Sequence, residues 1–344
     1  MANRPFQRLL SRIPVLRYIA GENRPAELPQ APVEAIAASR PARPHPEPAA
    51  SAVDGASIVR SLQAELAQAA RATDVRLRKL EASIGAAGAE DAIRLLDYEL
   101  ERNPRFADPR RLLRHGAQVC SQNGEDGMIG EIFRRIGTST RVFAEVGVGD
   151  GNEGNTSFLL SQGWTGYWLD GDDAFLKTLR TRPDLAGCVK TVVSHITREN
   201  VAALFARAGV PAEFDFLSVD IDHNTYYAWE GLRDYRPRVV VVEYNATIPP
   251  DVDWKVRYDP ARTWDGTNNF GASLKAYEVL GRRLGYALVG CDFIGVNAFF
   301  VRDDLVADQF AAPFTAENHY EPPRYQLATR RGHARAILDR AGPE

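Results

Sequence analysis

The sequence predicts an α/β fold, a parallel sheet of five strands with helices on both faces, closed by a C-terminal antiparallel β-hairpin into seven strands. Three observations carry this. Short β-branched runs alternate with helical-period segments from Arg141 to Tyr244; closely spaced glycines break the chain directly after the first run; and two strand-like segments, YALVGCD and NAFFVRDD, follow the last helix. Alternation of this kind builds a sheet covered on both faces.

The chain has 344 residues, enough for one large α/β domain with appendages. Residues 1–56 read as a short basic helix, with Arg4, Arg8, Arg12 and Arg17 among apolar residues, and then a disordered Pro/Ala-rich linker from Glu27 to Ala56. The basic segment is too short and interrupted for a signal peptide. It could lie on an anionic membrane surface as a peripheral contact, or dock on its own protein. Residues 57–88 read as a helical arm, with Val59, Leu62, Leu66, Ala69 and Thr73 in three- and four-residue steps and Leu77, Leu80 and Ile84 resuming after a slip. Such a weakly coiled-coil-like seam offers self-association through residues 57–84. The main domain is expected over 89–310, and 311–344 as a polar tail to which no chemistry is assigned.

Within the domain a helix is expected near Ala92–Leu100, and another opens in CSQNGEDGMIGEIFRRIG, where Asn123, Asp126 or Ser121 can cap its first turn. Gln122, Asn123 and Asp126 could alternatively reach a ligand over the sheet. Strands are expected at Arg141–Val146, Tyr167–Asp170, Val189–Ser194, Phe214–Asp220 and Arg238–Tyr244. Helices fall near Asn155–Gln162, Phe175–Leu179, Asn200–Ala208, Thr225–Leu232 and Ala272–Leu284. Ligands of such sheets bind at the carboxyl ends of the strands. Those ends carry Glu145, Asp170, Ser194 with His195, Asp220, and Glu243 with Asn245.

The run RVFAEVGVGDGNEG admits two frames. Gly149, Gly151 and Gly154 spell G-x-G-x-x-G with Asp170 downstream, the dinucleotide pattern. The earlier frame, Glu145-x-Gly147-x-Gly149-x-Gly151, is the acidic-start pattern typical of S-adenosylmethionine (SAM) enzymes. Glu145 and Asp150 would repel a pyrophosphate but suit a ligand carrying ammonium and sulfonium charge. The terminal antiparallel pair also matches the seven-stranded layout of SAM methyltransferases better than an NAD domain.

Composition narrows the partners. A formal charge of −3 gives no reason to expect nucleic acid. No apolar run is long enough to span a membrane. Three cysteines, Cys120, Cys188 and Cys291, without metal spacing fit a reducing compartment, so a cytoplasmic protein is expected.

The set SQNGEDG, EVGVGDGNEGN, GWTGYWLDGD, FDFLSVDID, YRPRVVVVEYN and NAFFVRDD, from Cys120 to Asp304, resembles the FkbM-type methyltransferases of bacteria. The resemblance implies a Rossmann-like, class I SAM-dependent O-methyltransferase. The family pattern has a small residue after the second acid of D-I-D, where this chain has His223; no role at His223 follows from the resemblance.

On this reading Glu145, Gly147, Gly149, Asp150, Gly151, Asn155 and Gln122 surround the cofactor, and Asp170, with Asp172 as the alternative, accepts the ribose hydroxyls. Ser194 and His195 flank the adenine, and Asp220 borders both cofactor and reaction edge. Asp220 and Asp222 share a face if the strand persists, as do Glu243 and Asn245. Two routes stay open for the acceptor's proton. One places Mg²⁺ on Asp220, Glu243 and Asn245, in the manner of catechol-type O-methyltransferases; the other is metal-free, with His223 or Asp222 as general base. The loop from Ala246 to Phe270, with Trp254, Tyr258, Trp264, Asn268 and Asn269, suits a carbohydrate or related small-molecule or glycan acceptor, or simply anchors itself. The rivals are a non-catalytic SAM- or nucleotide-binding module tethered by its arm, and an NAD(P)-dependent oxidoreductase.

Overall fold

The computed structural model describes residues 94–185, 187–325 and 336–339, together with Thr73. The basic segment, the Pro/Ala linker and the arm through Gly88, apart from Thr73, lie outside the described residues, and with them the expected membrane contact and self-association.

Seven strands form one sheet: β1 (Val142–Val146), β2 (Thr165–Asp170), β3 (Val189–Val193), β4 (Glu213–Val219), β5 (Arg236–Glu243), β6 (Tyr286–Cys291) and β7 (Asn297–Arg302). Their spatial order is β3-β2-β1-β4-β5-β7-β6. The first five run parallel, and β7 is antiparallel to both β5 and β6. The expected Rossmann-like sheet and its terminal antiparallel pair are both present, with β7 inserted between β5 and β6.

Strand sequence explains the burial. In β5, Val240 and Val242 join one apolar cluster while Val239 and Val241 join the cluster on the opposite face. β1 and β4 divide in the same way, Ala144, Val146, Leu217 and Val219 facing one side and Phe143 and Phe216 the other. Side chains alternate across a strand, so a run apolar at every position can be buried only between two covering layers. β3 and β6 are the two edges; β3 is half-exposed, whereas β6 is buried.

The helices that position the site are α1 (Glu125–Ile136), α2 (Ser157–Ser161), α3 (Ala174–Thr181), α4 (Val201–Ala208), α5 (Thr225–Gly231) and α6 (Leu274–Leu284); residues 94–102 are also helical. α1 begins after Gly124 at φ +99, and the Asp126 N–H donates to Ser121 Oγ at 3.1 Å, as the capping reading of Ser121 expects. Asp126 itself turns back: its Oδ2 accepts from the amides of Val119, Cys120 and Ser121 at 2.7–2.8 Å, a structural role in the turn before α1. α2 starts two residues later than expected because Asn155 and Thr156 are tied to Glu145.

The last segment is more integrated than a polar tail. Ala316 N donates to Glu278 Oε2 on α6, Tyr244 Oη to the Glu321 carbonyl, and Phe310, Ala316 and His319 are buried. Cys120 and Cys291 are buried and Cys188 is half-buried. Among the described residues no helix is long and apolar enough to cross a membrane.

Candidate functional site

A cavity of about 520 Å³ opens over the carboxyl ends of β1, β2 and β4. Strand order reverses there, β1 continuing to β2 on one side and to β4 on the other, which is where open α/β sheets accept ligands. Its wall includes Glu125, Glu145, Asp150, Glu153, Asp170, Asp220 and Asp222, with Arg262 as the only arginine or lysine among the described residues. The lining is therefore strongly electronegative.

The glycines divide by role. Gly147, at φ +88, lies so close to β4 that a Cβ would sit 1.6 Å from the Asp220 carbonyl oxygen, so only glycine lets the turn pass. Gly149, at φ +60, lines the cavity, and a Cβ there would meet no protein atom within 4 Å. The free space is part of the cavity. Gly151 is not in the wall: a Cβ there would press on the Trp168 ring at 2.9 Å, so its need for glycine is packing beneath the turn.

Carboxylates hold this turn in shape. Asp170 Oδ2 accepts from the Val148 and Gly149 amides at 2.6 and 2.9 Å, and Oδ1 from Asp172 N at 2.8 Å. Glu145 Oε1 accepts from Asn155 N at 2.9 Å, while Oε2 accepts the Thr156 hydroxyl proton and Thr156 Oγ1 in turn accepts from the Trp168 indole. Burial pushes the Glu145 carboxyl up to about 7 against the pull of these donors. Asn155 lines the cavity and donates through Nδ2 to Ser218 Oγ at 3.0 Å.

At the ends of β4 and β5 the strand alternation expected for Asp220 and Asp222 does not continue. β4 stops at Val219, and Asp222 opens a 3₁₀ turn at φ +54. The two carboxylates nevertheless meet: an oxygen from each of Asp220, Asp222 and Glu243 lies within 4.8 Å of the others. Burial, then the neighbouring Asp222 charge, pushes Asp220 up to about 6. Glu243 is pushed well above its ordinary range by burial and by both aspartates, and its Oε2 has no hydrogen-bond partner.

Two expected participants are elsewhere. Asn245 is fully buried and its amide is spent on the loop, Nδ2 donating to the Asn268 and Phe270 carbonyls at 2.8 and 3.0 Å and Oδ1 accepting from Thr247 N and Oγ1. β5 ends at Glu243, so the shared strand face that paired Glu243 with Asn245 does not exist, and Asn245 has no oxygen to offer a metal. His223 is 1% exposed and absent from the cavity wall, so it is not placed as a base for a bound acceptor.

Gln122 and His195 line the cavity, His195 donating through Nε2 to the Pro260 carbonyl. Ser194 and Asp172 do not; Asp172 Oδ1 instead accepts from Ala174 N at the start of α3. The 246–270 loop is anchored by its aromatics, Tyr258 against Tyr227 at a ring separation of 4.7 Å and Trp264 through Nε1 to the Thr267 carbonyl. It reaches the cavity through Arg262 and Thr263, which sequence reasoning did not single out. Glu125, Glu153, Ser218, Asn224 and Asn297 were also missed. Glu125, Glu153, Ser218 and Asn297 lie inside the segments SQNGEDG, EVGVGDGNEGN, FDFLSVDID and NAFFVRDD, which were the available signal.

No family model matches the sequence, and no curated protein matches it. Solved structures similar to parts of the chain include the methyltransferase domain of bacterial CtHen1-C, at 14% identity over 52% of this chain and 97% of that one, TM-score 0.33. Another is an O-methyltransferase family protein from Burkholderia thailandensis, at 14% identity over 52% and 58%, TM-score 0.32. A third is the O-methyltransferase NcsB1 of neocarzinostatin biosynthesis, in complex with S-adenosyl-L-homocysteine and 1,4-dihydroxy-2-naphthoic acid, at 17% identity over 47% and 49%, TM-score 0.32. The chain thus spans about half the length of the second and third.

Proposed function

We propose that the chain is a SAM-dependent methyltransferase of the FkbM type, transferring methyl to a hydroxyl of a carbohydrate or related metabolite. One observation carries the reading. The cavity at the β1–β4 reversal presents seven carboxylate side chains against one arginine. That field favours a cofactor carrying sulfonium and ammonium charge and opposes a dinucleotide pyrophosphate. The β3-β2-β1-β4-β5-β7-β6 order agrees with this choice.

In this reading the open face of Gly149 admits the cofactor, and Asp170 Oδ1 and Oδ2 border its ribose while holding the turn. The acceptor oxygen approaches from the Asp220–Asp222–Glu243 side. Bound SAM would supply the methyl group, and the Asp220–Asp222–Glu243 cluster would lie where the hydroxyl proton leaves the acceptor. Arg262, Thr263 and Asn224 at the wall give a polyol acceptor hydrogen-bonding partners.

Calorimetry on the purified full chain tests the cofactor. SAM and S-adenosylhomocysteine are expected to bind and NAD is not. NAD binding as tight as SAM would overturn the reading.

A further inference from the structure

The three clustered carboxylates have a neighbour that no consideration of β4 and β5 alone would supply. Asn297, the first residue of β7, is directly opposite Glu243 in the antiparallel β5–β7 register. Opposed residues project to the same face with Cβ atoms about 4.5–5.5 Å apart. Asn297 is 5% exposed and lines the cavity that Asp220 and Asp222 also line. Its Nδ2 is committed to Glu125 Oε1 at 2.8 Å, which fixes the amide and leaves Oδ1 without a partner. A buried carbonyl oxygen with no donor is destabilising unless something electropositive meets it. Beside it, Glu243 Oε2 is buried and equally without a donor.

We propose that Asp220, Asp222, Glu243 and the Oδ1 of Asn297 form a binding site for one divalent, oxygen-preferring cation of the Mg²⁺, Mn²⁺ or Ca²⁺ class. The donor set is entirely hard oxygen, three anionic and one neutral, which suits these ions and not soft metals. The spacing fits as well. Oxygens on opposite sides of Ca²⁺ are about 4.6–5.2 Å apart, and those around Mg²⁺ are closer, so carboxylate oxygens within 4.8 Å of one another are near enough to share one ion. Charge argues in the same direction, because three carboxylates gathered at a partly buried point repel one another unless protons or a cation join them. The site differs from the Asp220–Glu243–Asn245 set expected from sequence, with Asp222 and Asn297 taking the place of Asn245. Its existence stands on this geometry. Its role, binding the acceptor oxygen and lowering the pKa of that hydroxyl, rests on the methyl-transfer reading above.

The test uses full-length protein stripped with EDTA and exchanged into chelator-free buffer, titrated with Mn²⁺ and followed by the electron paramagnetic resonance signal of free Mn²⁺. One Mn²⁺ per chain is expected to bind, displaced competitively by Mg²⁺ or Ca²⁺. Glu243→Gln should weaken it at least tenfold and Asn297→Ala several-fold, with circular dichroism reporting folded protein. Should Glu243→Gln fail to fold, Asp222→Asn, at an exposed position, carries the same tenfold expectation. No stoichiometric Mn²⁺, or an affinity unchanged in the folded acid variants, overturns the site. SAM affinity measured on the metal-free sample separates the two conclusions. SAM binding without Mn²⁺ binding removes only the cation site, and Mn²⁺ binding without SAM binding removes only the cofactor reading.

Discussion

Asn297 Nδ2 donates to Glu125 Oε1 at 2.8 Å, joining the last strand of the sheet to the first turn of α1. Glu125 also accepts from Asn123 N at 2.6 Å through Oε2 and from Asn123 Nδ2 at 3.3 Å, so its buried carboxylate serves three donors at once. Glu125→Gln replaces one acceptor oxygen with a donor and leaves a donor–donor clash. A loss of about 1–3 kcal/mol in unfolding free energy is expected, read from the urea midpoint. An unchanged midpoint would show that the amide can turn over without penalty.

The two glycines of the turn should fail differently. Gly147→Ala drives a Cβ into the Asp220 carbonyl, so the variant is expected to be unfolded or to melt far below wild type. Gly149→Ala meets no protein atom and bears only the cost of a left-handed backbone, about 1–2 kcal/mol. It should melt as a folded protein yet bind SAM at least tenfold more weakly, because its methyl occupies cofactor space. Calorimetry beside a thermal melt separates the two outcomes.

Glu145 makes stability depend on pH. Its carboxyl is held at about 7 in the folded protein against an ordinary value of 4.5. The folded state therefore binds more protons than the unfolded chain between these values, and stability falls as pH rises through that window. The linked loss is about 3 kcal/mol, complete by about pH 8. Glu145→Gln removes this contribution, so its unfolding free energy should decline less than wild type's between pH 4.5 and 8 in parallel denaturant titrations. Parallel curves would place the Glu145 pKa near its ordinary value.

Asn245 predicts a local effect. Its amide binds Asn268 and Phe270 carbonyls and Thr247, closing the ends of the 246–270 loop on each other. In Asn245→Ala those carbonyls lose their donor, and limited proteolysis should cut within the loop faster than in wild type. Stoichiometric Mn²⁺ binding should persist, since Asn245 is not among the proposed ligands. Loss of Mn²⁺ from a folded variant would return Asn245 to the ligand set.

The strands were legible because β4 and β5 are apolar at nearly every position and can be satisfied only between two layers, as Val239 to Val242 illustrate. The turn was legible because Gly147 has no alternative at its closest approach to Asp220. What failed was extrapolation of strand alternation past a strand's last residue. Asp222 is brought to Asp220 by a left-handed turn, and Asn245 is carried away from Glu243 by the loop that β5 enters. The placement of Arg262 and Asn297 could not be read, since one depends on how a long loop folds back and the other on the β5–β7 register, which no local pattern encodes. His223 looked chemical because it follows D-I-D, but burial takes it out of the cavity.

The placement of β7 between β5 and β6 also orders events during synthesis. A chain emerging from its N-terminus completes β5, with its four consecutive valines, while the strand that will cover that edge is still unmade. β6 cannot cover it, because β6 reaches the sheet only through β7. Until Asn297–Arg302 arrives, the nascent domain presents an open, valine-rich edge able to pair with another chain. A stop codon or cleavage before β7 is thus expected to give an aggregating product rather than a smaller binding unit, and intact chains should depend on chaperones most during that interval.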